Sequence, residues 1–400
     1  MSTIFDKFAS FEQRYRLAEH MPVNPVGVRF DAVMSPTRAK VAGRDVLLAG
    51  TSNYLGLTFD EDSRAAAKQA IDLHGTGTTG SRMANGSYAS HQDLERDIAE
   101  WLGMPSAIVF TTGYQTNLGV LSTIAGKDDL LVIDADSHAS IYDACKMSDA
   151  PMVRFKHDQP GDLDKKLEKH LPEIKGHAVV VIEGLYSMFG DRPDVGAFAD
   201  VCERHGAYLF VDEAHSTGVY GHEGRGTADE QGQLHRVDFY SSTFSKSLGT
   251  VGGFCASKHP NFGRLRGLMR SYTFTASPVP AVVGATTESL KKLRAGDDLR
   301  AQLLESANRL HEGLTTLGYE VIAPAGPVLA VRCANELDAV MKWQQLLEAG
   351  VYVNLAVPPA TPKGAAILRI SLTAKHTAAE VDEMLAAFAS ISGTLAVAAE

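Results

Sequence analysis

The sequence predicts an α/β fold in which a mostly parallel sheet is followed by a smaller α+β domain. Between Val46 and about Ser257, short and continuously apolar runs alternate with stretches of helical periodicity. Continuous hydrophobicity is typical of strands covered on both faces, and helices between such strands indicate parallel connections. The final third has a different pattern, because longer helical stretches are joined there by short strand-like runs.

The larger domain contains five continuous apolar runs that predict strands: Ala107–Phe110, Leu130–Ile133, Ala178–Ile182, Tyr208–Val211 and Val251–Phe254. Helical periodicity between them is clearest at His91–Leu102 and Ala197–His205. Active sites of such sheets lie beyond the carboxyl ends of the strands. Gly113, His138 and Asp212 each follow a predicted strand, so we expect their loops to converge on one crevice.

In the final third, helices are predicted at Leu303–Leu317 and Leu337–Leu347, and strands at Val328–Val331 and Ile367–Leu372. The run Thr377–Glu380 has the pattern of a capping box, which predicts the start of a last helix. We therefore expect three segments: an N-terminal arm or helix at 1–45, a large domain with the parallel sheet at 46–285 and a small C-terminal domain at 286–400.

Apolar residues at helical spacing, Ile4, Phe8, Phe11 and Tyr15, predict an amphipathic N-terminal helix. Such a stripe packs on the protein or on a second subunit, and the alternative, contact with a membrane surface, favours a more basic polar face. The N-terminus lacks the core of a signal peptide, and no apolar run approaches the roughly 20 residues of a membrane span.

The net charge of −10 argues against nucleic acid or an anionic membrane surface as the main partner. The four cysteines, Cys145, Cys202, Cys255 and Cys333, form no C-x-x-C pair. Neither a disulfide framework nor a metal site is predicted, and a reducing cytoplasm is the expected compartment.

The segment T-F-S-K-S-L-G carries the strongest chemical signal, because Lys246 stands there among the hydroxyl groups of Thr243, Ser245 and Ser247. The segment V-D-E-A-H places Asp212 and His215 directly after an apolar strand. A lysine for a Schiff base, a carboxylate for a ring nitrogen and hydroxyl donors for a phosphate are the needs of pyridoxal 5'-phosphate (PLP). We therefore predict that this protein binds PLP.

Further cofactor contacts are predicted at four residues. His138, in D-A-D-S-H-A-S, would stack on the cofactor ring, and His215 would donate to its phenolic oxygen; in isolation each would be an ordinary structural histidine. Gly113 and Tyr114 open a helix after a strand, and helix N-termini bind phosphate. Glu213 fits the role of a capping acid better than Asp212 does.

Substrate contacts are predicted at Asn53, Ser81 and Arg369. Ser81 lies in the glycine-rich run 74–82, which we interpret as a turn lining the substrate channel. Arg369 lies in an otherwise apolar strand, L-R-I-S-L, where it is either a solvated edge residue or a planar fork for a substrate carboxylate.

Together these motifs are similar to those of the α-oxoamine synthases, fold-type I PLP enzymes of the aspartate aminotransferase-like class, and the resemblance covers nearly the whole chain. It implies a seven-stranded, mostly parallel sheet and a homodimer with shared active sites. It also implies that Lys246, His138 and Asp212 are catalytic, and that Gly113, Tyr114, His215, Thr243 and Ser245 bind the cofactor. The run F-T-A-S implies that Thr275 and Ala276 reach the cofactor phosphate of the neighbouring subunit.

Within that family, the runs G-T-G-T-T-G-S-R, T-V-G-G-F-C and P-P-A-T-P look most like those of bacterial serine palmitoyltransferases. The resemblance implies condensation of L-serine with a long-chain acyl-CoA and loss of CO2, with a peripheral contact to the inner membrane left open. Members of that group often carry arginine before P-P-A-T-P, where this chain has Val357. The alternatives are an α-oxoamine synthase that uses glycine or alanine, a PLP aminotransferase or aldolase, and a non-catalytic partner subunit, which the presence of Lys246 disfavours.

Overall fold

The structure is a computed structural model that describes residues 3–9 and 21–392. The described strands are β1 Phe30–Val33, β2 Arg38–Val41, β3 Arg44–Leu48, β4 Ser106–Phe110, β5 Leu130–Asp134, β6 Met152–Phe155, β7 Ala178–Glu183, β8 Tyr208–Asp212, β9 Phe239–Thr243, β10 Gly253–Ser257, β11 Val328–Cys333, β12 Val351–Tyr352, β13 Asn354–Ala356 and β14 Ala366–Ser371.

The described α-helices are α1 Glu61–His74, α2 Ala89–Leu102, α3 Gly113–Ile124, α4 Ala139–Met147, α5 Pro160–His170, α6 Val195–His205, α7 Thr227–Glu230, α8 Arg270–Thr273, α9 Pro280–Ala295, α10 Asp297–Thr316, α11 Glu336–Glu348 and α12 Ala378–Ser392. Short 3-10 turns lie at Asp6–Phe8, Leu57–Phe59, Leu171–Glu173, His222–Gly224, Leu234–Arg236, Phe262–Gly267 and Pro362–Gly364.

A seven-stranded sheet in the order β4-β10-β9-β8-β7-β5-β6 organises the larger unit. Its strands are parallel except β10, which is antiparallel to both β4 and β9. Side chains of β5 alternate between two cores, since Val132 joins one cluster and Leu131 and Ile133 join the other. The sheet is therefore covered on both faces, and the predicted α/β class with a mostly parallel seven-stranded sheet is confirmed.

Three details of the strands in this sheet differ from the sequence prediction, and the first is that the edge strand β6 was not among the predicted runs. The strand β10 begins at Gly253 rather than at the predicted Val251, because Gly252 has a φ of 146°, which breaks the extended run. The strand β9 was not predicted, because three of its five residues, Ser241, Ser242 and Thr243, are polar. These hydroxyl groups are buried but bonded to Asn117, Thr217 and the Gly252 carbonyl.

The smaller unit has two sheets, in the orders β1-β2-β3-β12 and β11-β14-β13. In the three-stranded sheet β14 lies in the middle, paired antiparallel on both sides. Thr377 opens α12 as the predicted capping box, because its hydroxyl accepts from the Glu380 backbone and its own amide donates to the Glu380 carboxylate.

Contacts divide the described residues into two compact units. One comprises Ser52–Glu305 with Thr373–Lys375, and the other comprises described residues of Met1–Thr51, Ser306–Leu372 and His376–Glu400. The predicted domain boundaries remain a prediction. Phe11 and Tyr15 of the proposed N-terminal stripe lie outside the described residues. In the described part of the chain, no helix is long and apolar enough to cross a membrane.

Candidate active site

A cavity of about 240 Å³ opens in the larger unit beyond the carboxyl ends of β4, β5, β7, β8 and β9. Its lining is rich in hydroxyl, carboxylate and imidazole groups, and consists of Thr112, Gly113, Tyr114, Asn117, His138, Ser140, Glu183, Asp212, Ala214, His215, Ser242, Thr243, Ser245 and Lys246. Parallel strands place their carboxyl ends at one edge of a sheet, which explains why loops distant in sequence meet here. The predicted convergence therefore takes place in the structure.

Lys246 lies in the tight connection between β9 and β10, partly exposed to the cavity. The backbone of this connection is closed by a bond from the Gly249 amide to the Lys246 carbonyl at 2.9 Å. The next residue anchors it, because the buried Ser247 hydroxyl donates to the Thr217 carbonyl at 2.6 Å. The amine is thus carried on a well-anchored loop.

Asp212 ends β8 and is only 6% exposed. The Asn117 side-chain amide donates to its Oδ2 at 2.7 Å, and the Ala214 backbone amide donates to its Oδ1 at 3.0 Å. A buried carboxylate needs such donors or a cation. The next acid differs in role: the Glu213 carboxylate accepts from the Thr227 and Ala228 amides at 2.9 and 2.8 Å and caps α7.

His138 precedes α4 and caps it with its own ring, since Nδ1 accepts from the Ser140 amide at 3.2 Å. The Ser140 hydroxyl lies 2.8 Å from the same nitrogen. The His138 backbone amide donates to Glu183 Oε1 at 2.5 Å. Burial lowers the pKa of His138, with Lys246 acting in the same direction and Asp212 opposing both, so the ring is held in its neutral form.

The N-terminus of α3 forms one wall of the cavity. Thr112 caps it by accepting from the Gln115 amide at 3.1 Å, and Gly113 and Tyr114 supply the first helical amides. A Cβ on Gly113 would lie 2.8 Å from Thr243 Cβ, so only glycine allows this close approach. The hydroxyl groups of Thr243 and Ser245 lie 2.8 Å apart beside it. Amides, hydroxyl groups and the helix dipole together suit an anion.

His215 follows β8 in the chain and lines the cavity. Its Nδ1 is 2.6 Å from the hydroxyl group of the fully buried Tyr54. The tyrosine holds the imidazole in one orientation. Tyr54 lies in the motif N-Y-L-G, but its link to His215 was not predicted. Tyr114, in contrast, directs its hydroxyl group to Asp143 on α4.

Five predicted residues do not line this cavity in the described chain. Asn53 is buried and donates to Thr58 Oγ1 at 2.8 Å, and Ser81 is partly buried in the glycine-rich run. Thr275 accepts from Gln115 Nε2 at 3.2 Å, and Ala276 is exposed. Arg369 lies in β14 of the other unit, where it is 7% exposed and donates to Ser371 Oγ at 2.7 Å. The alternative of a solvated edge residue is therefore wrong for Arg369, because its strand is central in its sheet.

Six lining residues were not predicted as site residues, among them Asn117, Ser140 and Glu183. Glu183 had a signal, because it ends an apolar strand in the same way as Asp212. Asn117 lies one helical turn after Gly113, on the face of α3 that lines the cavity, and Ser140 lies two residues after His138. Both look like ordinary helical polar residues until the packing of α3 beside α4 is known.

The chemical groups that line the cavity match those that PLP needs. At one end the buried carboxylate of Asp212 favours a cationic group such as a protonated ring nitrogen. At the other end the α3 amides with Thr243 and Ser245 favour a phosphate. Lys246 supplies the amine, and the space above Gly113 is kept open by the missing Cβ.

Comparisons with known proteins identify the family of the chain. A model of the aminotransferase class I and II family matches residues 44–388. The serine palmitoyltransferase of Caulobacter vibrioides is 47% identical over 98% of this chain and 97% of its own length. That of Sphingomonas paucimobilis is 44% identical over 94% of this chain and 90% of its own length.

A solved structure of SPT with a PLP internal aldimine superposes with a TM-score of 0.96 at 42% identity, covering 99% of this chain and all of that one. Since near-complete coverage accompanies this identity, the resemblance extends over residues of both compact units. The chain belongs to the aminotransferase class I and II family and, within it, to the group of the bacterial serine palmitoyltransferases.

Proposed function

We propose that the protein is a PLP-dependent serine palmitoyltransferase. It condenses L-serine with a long-chain acyl-CoA, palmitoyl-CoA, and releases CoA and CO2 to form 3-ketosphinganine, the first step of sphingolipid synthesis. The observation that carries the proposal is the meeting of Lys246, Asp212 and His138 around one cavity at the N-terminus of α3. The family of the chain supports it.

Asp212 would hold the ring nitrogen of the cofactor, and His215 its phenolic oxygen. Gly113, Thr243 and Ser245 would hold the phosphate. When bound, PLP supplies an electron sink for the negative charge that develops at the α-carbon of the amino acid.

The side chains of this protein then position substrate and protons. Lys246, whose amine lines the cavity, would remove the α-proton of serine. Arg369 binds the serine carboxylate as a planar fork until CO2 leaves. The neutral ring of His138 would pack against the cofactor and donate from Nε2 to the serine carboxylate. The deprotonated α-carbon would form a bond to the thioester carbonyl as the bond to the CoA sulfur breaks, and the CoA thiolate takes a proton from solvent. Loss of CO2 would return an electron pair to the α-carbon, which takes back the proton held by Lys246.

The assembly and location are part of the proposal. The active enzyme is a homodimer in which Thr275 and Ala276 reach the phosphate in the neighbouring subunit. It works in the cytoplasm, and because its product is lipid-like, it meets the inner membrane peripherally. Chemical crosslinking and light scattering test the dimer, and sedimentation with vesicles tests the membrane contact.

Release of thiol from palmitoyl-CoA, followed with a chromogenic disulfide, tests the function. We expect release that depends on L-serine, and none from Lys246→Ala. Lys127→Ala, a change outside the cavity after α3, serves as the control and keeps full activity. An aminotransferase or aldolase releases no thiol, and release with glycine or alanine but not serine would identify another α-oxoamine synthase. Either result would contradict the proposal.

A further inference from the structure

The buried amide of Asn117 connects Asp212 to the residues around His138. Its Nδ2 donates to Asp212 Oδ2 at 2.7 Å and to Ser140 Oγ at 2.9 Å. Its Oδ1 accepts from Ser241 Oγ at 2.8 Å. Asn117, Ser140 and Ser241 are 3%, 1% and 1% exposed, so water does not compete for these bonds.

The two hydrogens of the Asn117 side-chain amide determine which groups donate and which accept in these bonds. Turning the Asn117 amide would place its oxygen against the Asp212 carboxylate, so its NH2 must face Asp212. Both amide hydrogens are then committed, one to Asp212 and one to Ser140 Oγ. The hydroxyl oxygen of Ser140 is therefore an acceptor from Asn117.

The same count determines the tautomer of His138. With its oxygen accepting from Asn117, the Ser140 hydroxyl donates its one hydrogen to His138 Nδ1, 2.8 Å away. The Ser140 backbone amide donates to that nitrogen as well, at 3.2 Å. Because Nδ1 accepts from both, the neutral ring carries its proton on Nε2.

We propose that Asn117 is a positioning residue that orients the Asp212 carboxylate and, through Ser140, fixes His138 as its Nε2–H tautomer. The inference deepens the proposed function, on which it rests for the roles of Asp212 and His138. One amide thus sets two groups of the site: the anion for the cofactor nitrogen, and a ring whose outer nitrogen can donate but not accept.

Histidine-selective 15N NMR of the cofactor-loaded enzyme tests this directly. The signals of His138 are identified by their loss in His138→Gln. We expect its Nδ1 to have the shift of a bare ring nitrogen and its Nε2 that of a protonated one. In Ser140→Ala and in Asn117→Leu the two shifts should move toward each other. Ser148→Ala, at the other end of α4, is the matched control and should leave them unchanged.

A second readout separates positioning from mere folding. Spectral titration should show L-serine binding weakened about three- to tenfold in Ser140→Ala, as expected for one lost hydrogen-bond donor. Asn117→Leu should weaken PLP binding as well, whereas Ser140→Ala should not. If Asn117→Leu does not fold, Ser140→Ala alone still tests the tautomer.

Unchanged His138 shifts in Ser140→Ala, or a protonated Nδ1 in the parent, would overturn the inference. The NMR result does not depend on thiol release. Failure of the proposed condensation and failure of this positioning role are therefore distinguishable.

Discussion

Glu183 and Asp212 stand opposite each other as the last residues of the neighbouring strands β7 and β8. They are 3% and 6% exposed. Two carboxylates side by side away from water do not both ionise readily. Burial, reinforced by the charge of Asp212, raises the pKa of Glu183 well above its ordinary value. The pair therefore does not readily carry two negative charges, because Glu183 keeps its proton to a higher pH than an ordinary glutamate does.

Glu183→Gln tests the raised pKa of Glu183. Because the folded pKa lies above the ordinary value of 4.5, the folded protein keeps a proton that the unfolded chain has released. This carboxyl group therefore lowers stability progressively as the pH rises above 4.5 toward the folded pKa. In urea unfolding of the cofactor-free protein at pH 5 and pH 8, the variant should lose less stability than the parent on raising the pH. Equal losses in both would contradict the prediction, and Glu100→Gln on the exposed face of α2 is the control.

His157 should stabilise the loop that leads to His138. Its ring is 2.9 Å from Asp134 Oδ1 and 2.7 Å from Asp191 Oδ2. Burial alone would lower the pKa of His157, but these two carboxylates outweigh burial and raise the pKa to about 10. The folded protein binds the extra proton, so this stabilisation is complete below about pH 6.5 and is lost as the pH rises through 10.

We expect His157→Gln to lower the free energy of unfolding by about 2–4 kcal/mol at pH 6, and by much less at pH 9. Urea unfolding at the two pH values measures this difference. His235→Gln, which changes an exposed histidine, should have little effect at either pH. A deficit in His157→Gln that stays constant between pH 6 and pH 9 would count against a charged His157.

Gly113→Ala should weaken cofactor binding. The new Cβ would come within 2.8 Å of Thr243 Cβ and 2.9 Å of its hydroxyl oxygen. This clash would push apart the Gly113 backbone and the Thr243 side chain, both of which are expected to hold the phosphate. We predict an increase of at least about tenfold in the dissociation constant of PLP, measured by fluorescence quenching during reconstitution. Gly161→Ala, near the start of α5 with no atom within 4 Å of its new Cβ, should bind PLP as the parent does.

Arg369→Lys tests the predicted carboxylate fork. A lysine keeps the charge but loses the paired donors of guanidinium. We expect KM for L-serine to rise about tenfold while KM for palmitoyl-CoA changes little. Arg332→Lys is the matched control, because Arg332 lies in the adjacent strand β11 with an exposed side chain paired to Glu320. Equal KM values for serine in parent and Arg369→Lys would remove Arg369 from the substrate site.

The parts of the site that follow strands could be predicted from the sequence. Asp212, His138 and Gly113 stand at the ends of apolar runs, and a parallel sheet brings such ends together. Lys246 was recognised from its neighbours, although β9 before it was not predicted as a strand. Its buried hydroxyl groups are satisfied by partners far away in the sequence, which composition does not reveal.

The connections between those residues could not be predicted. The bonds of Asn117 to Asp212 and Ser140 require the positions of α3 and α4 beside β8, and the bond of Tyr54 to His215 joins residues 161 apart. Arg369 shows the same limit. Its place in a central strand depends on the pairing of β14 with β11 and β13, and the pattern L-R-I-S-L alone leaves an edge strand open.

A visible-absorbance titration of the PLP-loaded protein with L-serine, glycine and L-alanine, followed by palmitoyl-CoA, tests the central claim most directly. We predict a change in the cofactor band that saturates with L-serine at lower concentration than with glycine or alanine, and thiol release only when palmitoyl-CoA follows serine. Preference for glycine or alanine would contradict the assigned substrate. The absence of any band after addition of PLP would contradict the role of Lys246 and the proposed function as a whole.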